Sequence, residues 1–172
     1  VGAALNEVVS VAPFGFGPSN SATDNVTAMN AAIAWASILK RPLFVPGFTS
    51  NCLVNDEFTI PAGVKVFGSG YWSSIEQTAQ GKNIFIVGDD CSVEGLRLQM
   101  PAGNQLDLSK QSAVYISGKK RIRVMNNWIQ NADSCCGIQV RASTDIILRG
   151  NIIWGGSWDG ATAGIPAVVS DI

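Results

Sequence analysis

Three stretches of this chain read as one stretch written three times: Cys91–Met100 (CSVEGLRLQM), Lys120–Asn131 (KRIRVMNNWIQN) and Thr144–Gly155 (TDIILRGNIIWG). With Val93, Val124 and Leu148 aligned, the steps are 124 − 93 = 31 and 148 − 124 = 24. Ile116 and Val140 repeat the 24-residue step, as do Asn127 and Asn151. A period of this length marks a solenoid, in which each unit buries its apolar face against the next. The repeated units are short β-runs with no room for helices between them. They predict parallel strands wound into an all-β, right-handed β-helix, because parallel crossovers take the right-handed sense. The longer step has a visible cause, the polar insertion Pro101–Gln111 (PAGNQLDLSKQ).

Composition fits this architecture. The 172 residues are 47% hydrophobic and 15% charged and include 18 Gly, which suits an apolar column bounded by tight turns. The net charge of −1 gives no ground for a nucleic-acid or membrane partner. The absence of His removes the commonest general base and metal ligand, so any catalysis rests on Asp, Glu, Lys, Arg or Tyr. None of the four Cys (52, 91, 135, 136) has a zinc-site spacing, and adjacent Cys135 and Cys136 seldom reach disulfide geometry. They read as small buried apolar residues, and no metal or cofactor is expected. Val1–Ser10 lacks the basic start and apolar run of a signal peptide, and Val1 in place of Met points to a processed or excised piece.

Along the chain, 1–22 reads as an N-terminal extension with a short strand in VVSVAPFGFG, and 23–42 as a capping helix and linker. Residues 43–172 read as β-helix coils, incomplete at the C-terminus. The helix is expected over Thr23–Ser37, capped by Thr23 or Asp24, with Val26, Met29, Ile33 and Ala36 covering the end of the core rather than a partner. Strands are expected at Leu43–Val45, Cys52–Val54, Phe58–Ile60, Val64–Phe67, Ile75, Ile84–Val87, Val93–Leu98, Ala113–Ile116, Ile122–Val124, Trp128–Ile129, Ile138–Val140, Ile146–Leu148 and Ile152–Trp154. Pro166–Ile172 reads as the first strand of another coil. Asn127 and Asn151 are expected to form a side-chain ladder inside a turn.

The N-terminal half carries a signature: Phe14-Gly15, Asp24-Asn25-Val26-Thr27-Ala28 with Ala31-Ala32-Ile33, Leu43–Gly47, Phe58–Pro61, Gly63–Gly70 and Ser74-Ile75-Glu76. In that order it resembles the opening of the pectate-lyase-superfamily domain found in bacteriophage tailspike depolymerases and in some polysaccharide lyases and hydrolases. One departure is Gly17-Pro18-Ser19-Asn20, where that superfamily usually has an Asp-Gly turn. No catalytic residue carries over. The resemblance implies a homotrimer on the virion tail that binds and cleaves bacterial surface polysaccharide. Two alternatives stay open: a non-catalytic structural or adhesin tail component, and a secreted pectinase-like lyase or hydrolase.

Three carboxylates fall in successive loops, Asp107, Asp133 and Asp159, at steps of 26 and 26. On stacked coils about 4.8 Å apart they can stand along one edge, at separations used by paired carboxylates in glycoside cleavage. Asp is also an ordinary turn residue. Trp154 and Trp158 flank Gly155-Gly156 and offer faces for sugar rings, whereas Trp128 follows the inward pattern and is expected in the core. Tyr71-Trp72 sits in a turn where it can equally cap the core. The basic turn Gly118–Arg123 (GKKRIR) reads as a solvated turn, or as a hold for an acidic polysaccharide. Gly68-Ser69-Gly70 lacks the Lys-Ser/Thr and helix of a phosphate loop.

Overall fold

Short β-branched runs broken by turn residues cannot bury both faces alone, so each must lie on a copy of itself. A computed structural model describes residues 8–101, 111–130 and 136–154, and the backbone of 168–171. After β1 (Val9–Ser10) and helix α1 (Ala22–Leu39), the first coil is β2 (Leu43–Val45), β3 (Cys52–Val54) and β4 (Phe58–Ile60). The second is β5 (Lys65–Gly68), β6 (Ser74–Gln77) and β7 (Phe85–Val87), and the third β8 (Ser92–Glu94), β9 (Arg97–Gln99) and β10 (Ser112–Ser117). The fourth is β11 (Lys120–Met125), β12 (Trp128–Gln130) and β13 (Cys136–Arg141). Last come β14 (Thr144–Arg149), β15 (Ile152–Trp154) and β16 (Val168–Asp171).

Every pairing is parallel. The first sheet runs β1-β2-β5-β8-β11-β14, the second β3-β6-β9-β12-β15 and the third β4-β7-β10-β13-β16. The chain visits the three sheets in turn, as a right-handed parallel β-helix of about four turns, with α1 near the N-terminus the one α-helix among the described residues.

The repeat seen in the sequence is the register of the first sheet. Val9, Leu43, Val66, Val93, Val124 and Leu148 stack in one inward column. Val93 and Val124 are fully buried, and burying a side chain of this size is worth about 1.5–3 kcal/mol. Cys52, Ile75, Leu98, Ile129 and Ile153 form the inward column of the second sheet. On the third, Phe58 lies in register with Phe85, their rings 5.9 Å apart. The insertion accounts for the long step completely. Twelve residues (100–111) separate β9 from β10 and five (131–135) separate β12 from β13, and 12 − 5 equals 31 − 24.

Left-handed residues recur at the corners. Two positions before Lys65, Ser92, Arg123 and Ile147 stand Gly63, Asp90, Arg121 and Asp145, with φ of 79°, 59°, 59° and 57°. One position after Glu94, Met125 and Arg149 stand Gly95, Asn126 and Gly150, with φ of 63°, 56° and 66°. This conformation costs an ordinary L-residue about 1–2 kcal/mol, and Gly, Asn and Asp tolerate it best.

Four expectations need correction. The Val93–Leu98 run is two strands, because left-handed Gly95 turns the chain from the first sheet to the second. Within 166–172, β16 pairs with β13 on the third sheet, so it completes a coil rather than opening one. The helix cap is Ser21, whose Oγ accepts from the Asp24 amide at 3.1 Å, and the helix runs on to Leu39. Trp128 is not in the core: it is half-buried and faces outward, while Ile129 takes the inward position. The corner at left-handed Asn126 resets the alternation, so that Val124 and Ile129, five apart, both point in.

Helix α1 covers the N-terminal end of the core with Ala28, Met29, Ala32, Ile33 and Ala36. Its small residues let it approach closely. Asn25, fully buried in the same face, locks it: its Oδ1 accepts from the Gly17 amide at 2.9 Å and its Nδ2 donates to the Leu53 carbonyl at 3.0 Å. The thiols of Cys52, Cys91 and Cys136 are free and buried, and burial pushes Cys52 up to about 12 and the other two upward. They are core residues, protonated and inert near neutrality.

Candidate functional site

Strands alternate, so each coil that buries its middle column must present two outward residues per short strand. On the second sheet one outward column is Ser74, Arg97, Trp128 and Ile152, and the other is Leu53, Glu76, Gln99, Gln130 and Trp154. The second column is a strip of carboxylate and amide groups that ends on an exposed indole.

The polar groups are held by one another. Ser74 Oγ donates to Asn51 Oδ1 at 2.7 Å, and Asn51 Nδ2 donates to Glu76 Oε2 at 2.6 Å and to Gln99 Oε1 at 3.2 Å. The guanidinium of Arg97 donates from Nε to Gln130 Oε1 and from Nη2 to Gln99 Oε1 at 3.4 Å. The loop before β6 lays an aromatic wall beside this strip. The Arg97 guanidinium carbon sits 4.4 Å from the centroid of the Tyr71 ring, within cation–π range. Tyr71 meets Trp72 edge-on at 5.9 Å and Trp128 edge-on at 6.1 Å. Trp72 is 63% exposed and Trp154 56%, so neither caps the core, and Tyr71 is 38% exposed.

Such a surface can do two things chemically. Amide and carboxylate groups set one rung apart can exchange hydrogen bonds with rows of hydroxyls. Exposed aromatic faces can cover apolar ring faces. Contiguous exposed aromatics rimmed by polar groups mark binding surfaces.

Of the residues singled out in the sequence, Trp154 lies on this face. Asp107, Asp133, Asp159 and Trp158 fall in the connections leading from β9, β12 and β15 to the third sheet, outside the described residues. In the basic turn, the Lys120 amide donates to Asp89 Oδ1 at 2.9 Å. Arg121 donates to Asp90 from Nε and from Nη2, and this pairing holds the Asp90 carboxyl below the usual range. Among the described residues no three His, Cys, Asp or Glu side chains converge as a metal site would require.

Sequence reasoning missed Arg97, Gln99 and Gln130. Their signal was present: Glu76, Gln99, Gln130 and Trp154 are 23, 31 and 24 residues apart, and the last two steps are those of the core column. An outward column carries the same period as an inward one.

Compared with models of known families and with curated proteins, the sequence matches none. Two solved structures share the fold. One is ORF18 of Geobacillus virus E2, with a TM-score of 0.55 and 16% identity over 81% of this chain and 31% of that one. The other is the catalytic unit of a thermostable GH87 α-1,3-glucanase from Streptomyces thermodiastaticus, with a TM-score of 0.53 and 15% identity over 87% of this chain and 33% of that one. The chain spans about a third of the length of either.

Proposed function

We propose that this chain is a β-helical segment of a tailspike-type protein of the pectate-lyase superfamily, which binds bacterial surface polysaccharide along the outer face of the second sheet. The observation that carries the reading is the wall of Trp72, Tyr71 and Trp128 beside the Glu76–Gln99–Gln130 strip. Sugar rings stack on the indoles while their hydroxyls bond the strip, one rung per donor–acceptor group. A phage protein and a glucan-cleaving enzyme built on the same fold support the assignment at the level of architecture.

Cleavage in this reading falls to the segments that follow β9, β12 and β15 in the chain. Asp133 and Asp159, with Asp107, supply a general acid and its partner carboxylate, one protonated because its neighbour's charge raises its pKa. The whole protein works as a homotrimer on the virion tail. A second reading, binding without cleavage, has its own support: Glu76 is the single carboxylate in the described outward columns of the second sheet.

The test is retention on immobilised surface polysaccharide from candidate hosts. Trp72→Ala and Trp128→Ala should each weaken retention at least several-fold. Trp35→Ala, at an exposed indole on α1 away from this face, should leave it unchanged. Equal retention by all three variants would remove the second-sheet face from the reading.

A further inference from the structure

The outer face of the first sheet carries a groove of about 620 Å³ that the reading above does not use. Its floor has an unusual charge order. Lys65 and Arg123 lie in register on either side of Ser92, so one unbranched column reads Lys, Ser, Arg outward across three coils. Rungs about 4.8 Å apart put the two cationic residues about 10 Å apart at the backbone, within reach of a common point above the Ser92 hydroxyl. Both side chains are exposed, and neither has a carboxylate within ion-pair distance among the described residues. Other cations of the fold differ: Arg121, in the same groove, is held by Asp90, and Lys82, elsewhere, sits 2.9 Å from Asp56.

The adjoining column supplies an acceptor. Glu94 stands two residues beyond Ser92 on the same face, and Asn126 Nδ2 donates to its Oε1 at 3.3 Å. Its other oxygen has no partner among the described residues. On the coil below, Phe67 is in register with Glu94, and the Phe44 and Phe67 rings pack at a 38° tilt with centroids 5.1 Å apart. Two free cations around a hydroxyl, a free carboxylate oxygen one step away and an aromatic pair beside it do not suit a bare anion, which Glu94 would repel. They suit a ligand that joins an oxyanion to hydroxyl groups and a ring.

We propose that this groove is a second binding site, distinct from the second-sheet face, for the oxyanion of a hydroxyl-rich ligand. The carboxylate, sulfate or phosphate group sits between Lys65 and Arg123 over Ser92. Glu94 accepts from a hydroxyl of the same ligand.

Titration of isotopically labelled protein with glucuronic acid, glucose 6-sulfate, glucose 6-phosphate, glucose and inorganic sulfate, followed by backbone amide shifts, decides it. At least one of the three acidic sugars should move the Ser92 and Arg123 amides saturably, and which one does so identifies the oxyanion. Glucose and inorganic sulfate should bind at least about tenfold more weakly, as should the acidic sugar to Lys65→Met and to Arg123→Met, since each removes a charged hydrogen bond. Added salt should weaken binding further. Both variants are exposed and should keep the wild-type spectrum elsewhere. Glucose binding as well as the acidic sugars, acidic sugars binding both variants unchanged, or shifts confined to Trp72, Gln99 and Gln130 would each overturn the proposal. Polysaccharide retention through Trp72 is scored separately, so either site can fail without the other.

Discussion

Asn127 and Asn151 stand one above the other in consecutive coils, with Nδ2 of Asn127 donating to Oδ1 of Asn151 at 3.0 Å. Each amide also reaches one coil back to a backbone carbonyl, Asn127 to Val93 at 3.0 Å and Asn151 to Val124 at 2.8 Å. The Oδ1 of Asn127 accepts from the Leu96 amide at 3.1 Å, and that of Asn151 from the Asn127 amide at 3.1 Å. The ladder thus satisfies the backbone polar groups that the corner between the first and second sheets strips from water.

Removing a rung strands those groups. Asn127 is fully buried, so Asn127→Ala leaves the Leu96 amide and the Val93 carbonyl without that partner and should cost about 2–3 kcal/mol. Asn151 is half-buried, and Asn151→Ala should cost less than half as much. Chemical denaturation of the two variants gives the comparison, and equal losses would show that the ladder is not what holds the corner.

Gly68 faces a different constraint. A Cβ there would lie 2.5 Å from Leu96 Cδ2, 2.5 Å from Ser73 Cβ and 2.6 Å from the Gly95 carbonyl oxygen. Gly68→Ala should force the second and third coils apart and cost about 1–3 kcal/mol. Thermal unfolding should show the loss, whereas an alanine at exposed Lys65, three residues away, should unfold like wild type.

Val124 sits fully buried in the first-sheet column, between Val93 and Leu148. Val124→Asp would bury a charge with no partner, at a cost of several kcal/mol, and should give insoluble or molten protein. A cooperative melt at the wild-type temperature would contradict the register.

The buried thiols set an alkaline limit. Cys52 is raised from 9.0 to about 12 by burial, so its contribution to stability is complete below pH 9. Above that, the unfolded chain ionises its thiol and the folded chain does not. Stability should therefore fall as pH rises from about 9 towards about 12. Cys52→Val should flatten part of that decline. Alkylation at neutral pH followed by peptide mass mapping should find Cys52, Cys91 and Cys136 unlabelled until denaturant is added.

For the proposed cleavage, Asp133→Asn and Asp159→Asn keep side-chain size and remove charge. Each should lower release of oligosaccharide from the cognate glycan at least a hundredfold while leaving retention intact. Turnover within twofold of wild type for both would reduce the two residues to turn formers and leave the binding reading standing.

Much of this architecture is written in one dimension because a solenoid repeats along the chain what it stacks in space. Steps of 31 and 24 residues mark the inward column of Val93, Val124 and Leu148, and the 24-residue step marks the Asn127–Asn151 pair, in the sequence itself. The helix could be read as a cap because its apolar stripe matches an open core end. Tertiary structure alone decided three things. Corners at Gly95 and Asn126 insert left-handed residues that shift the two-residue alternation, so Trp128 turned outward although its neighbours pointed in. Tyr71 and Trp72 come from a turn outside the repeat, and only coiling brings Tyr71 against Arg97 and Trp128, with Trp72 packed edge-on beside it. The free Lys65–Arg123 pair was equally hidden, because its two residues lie 58 apart and the partners that single out Arg121 and Lys82 are themselves 31 and 26 residues distant. A period reports which residues share a column. Which way the column faces, and what leans over it, depends on backbone turns and on loops that carry no period.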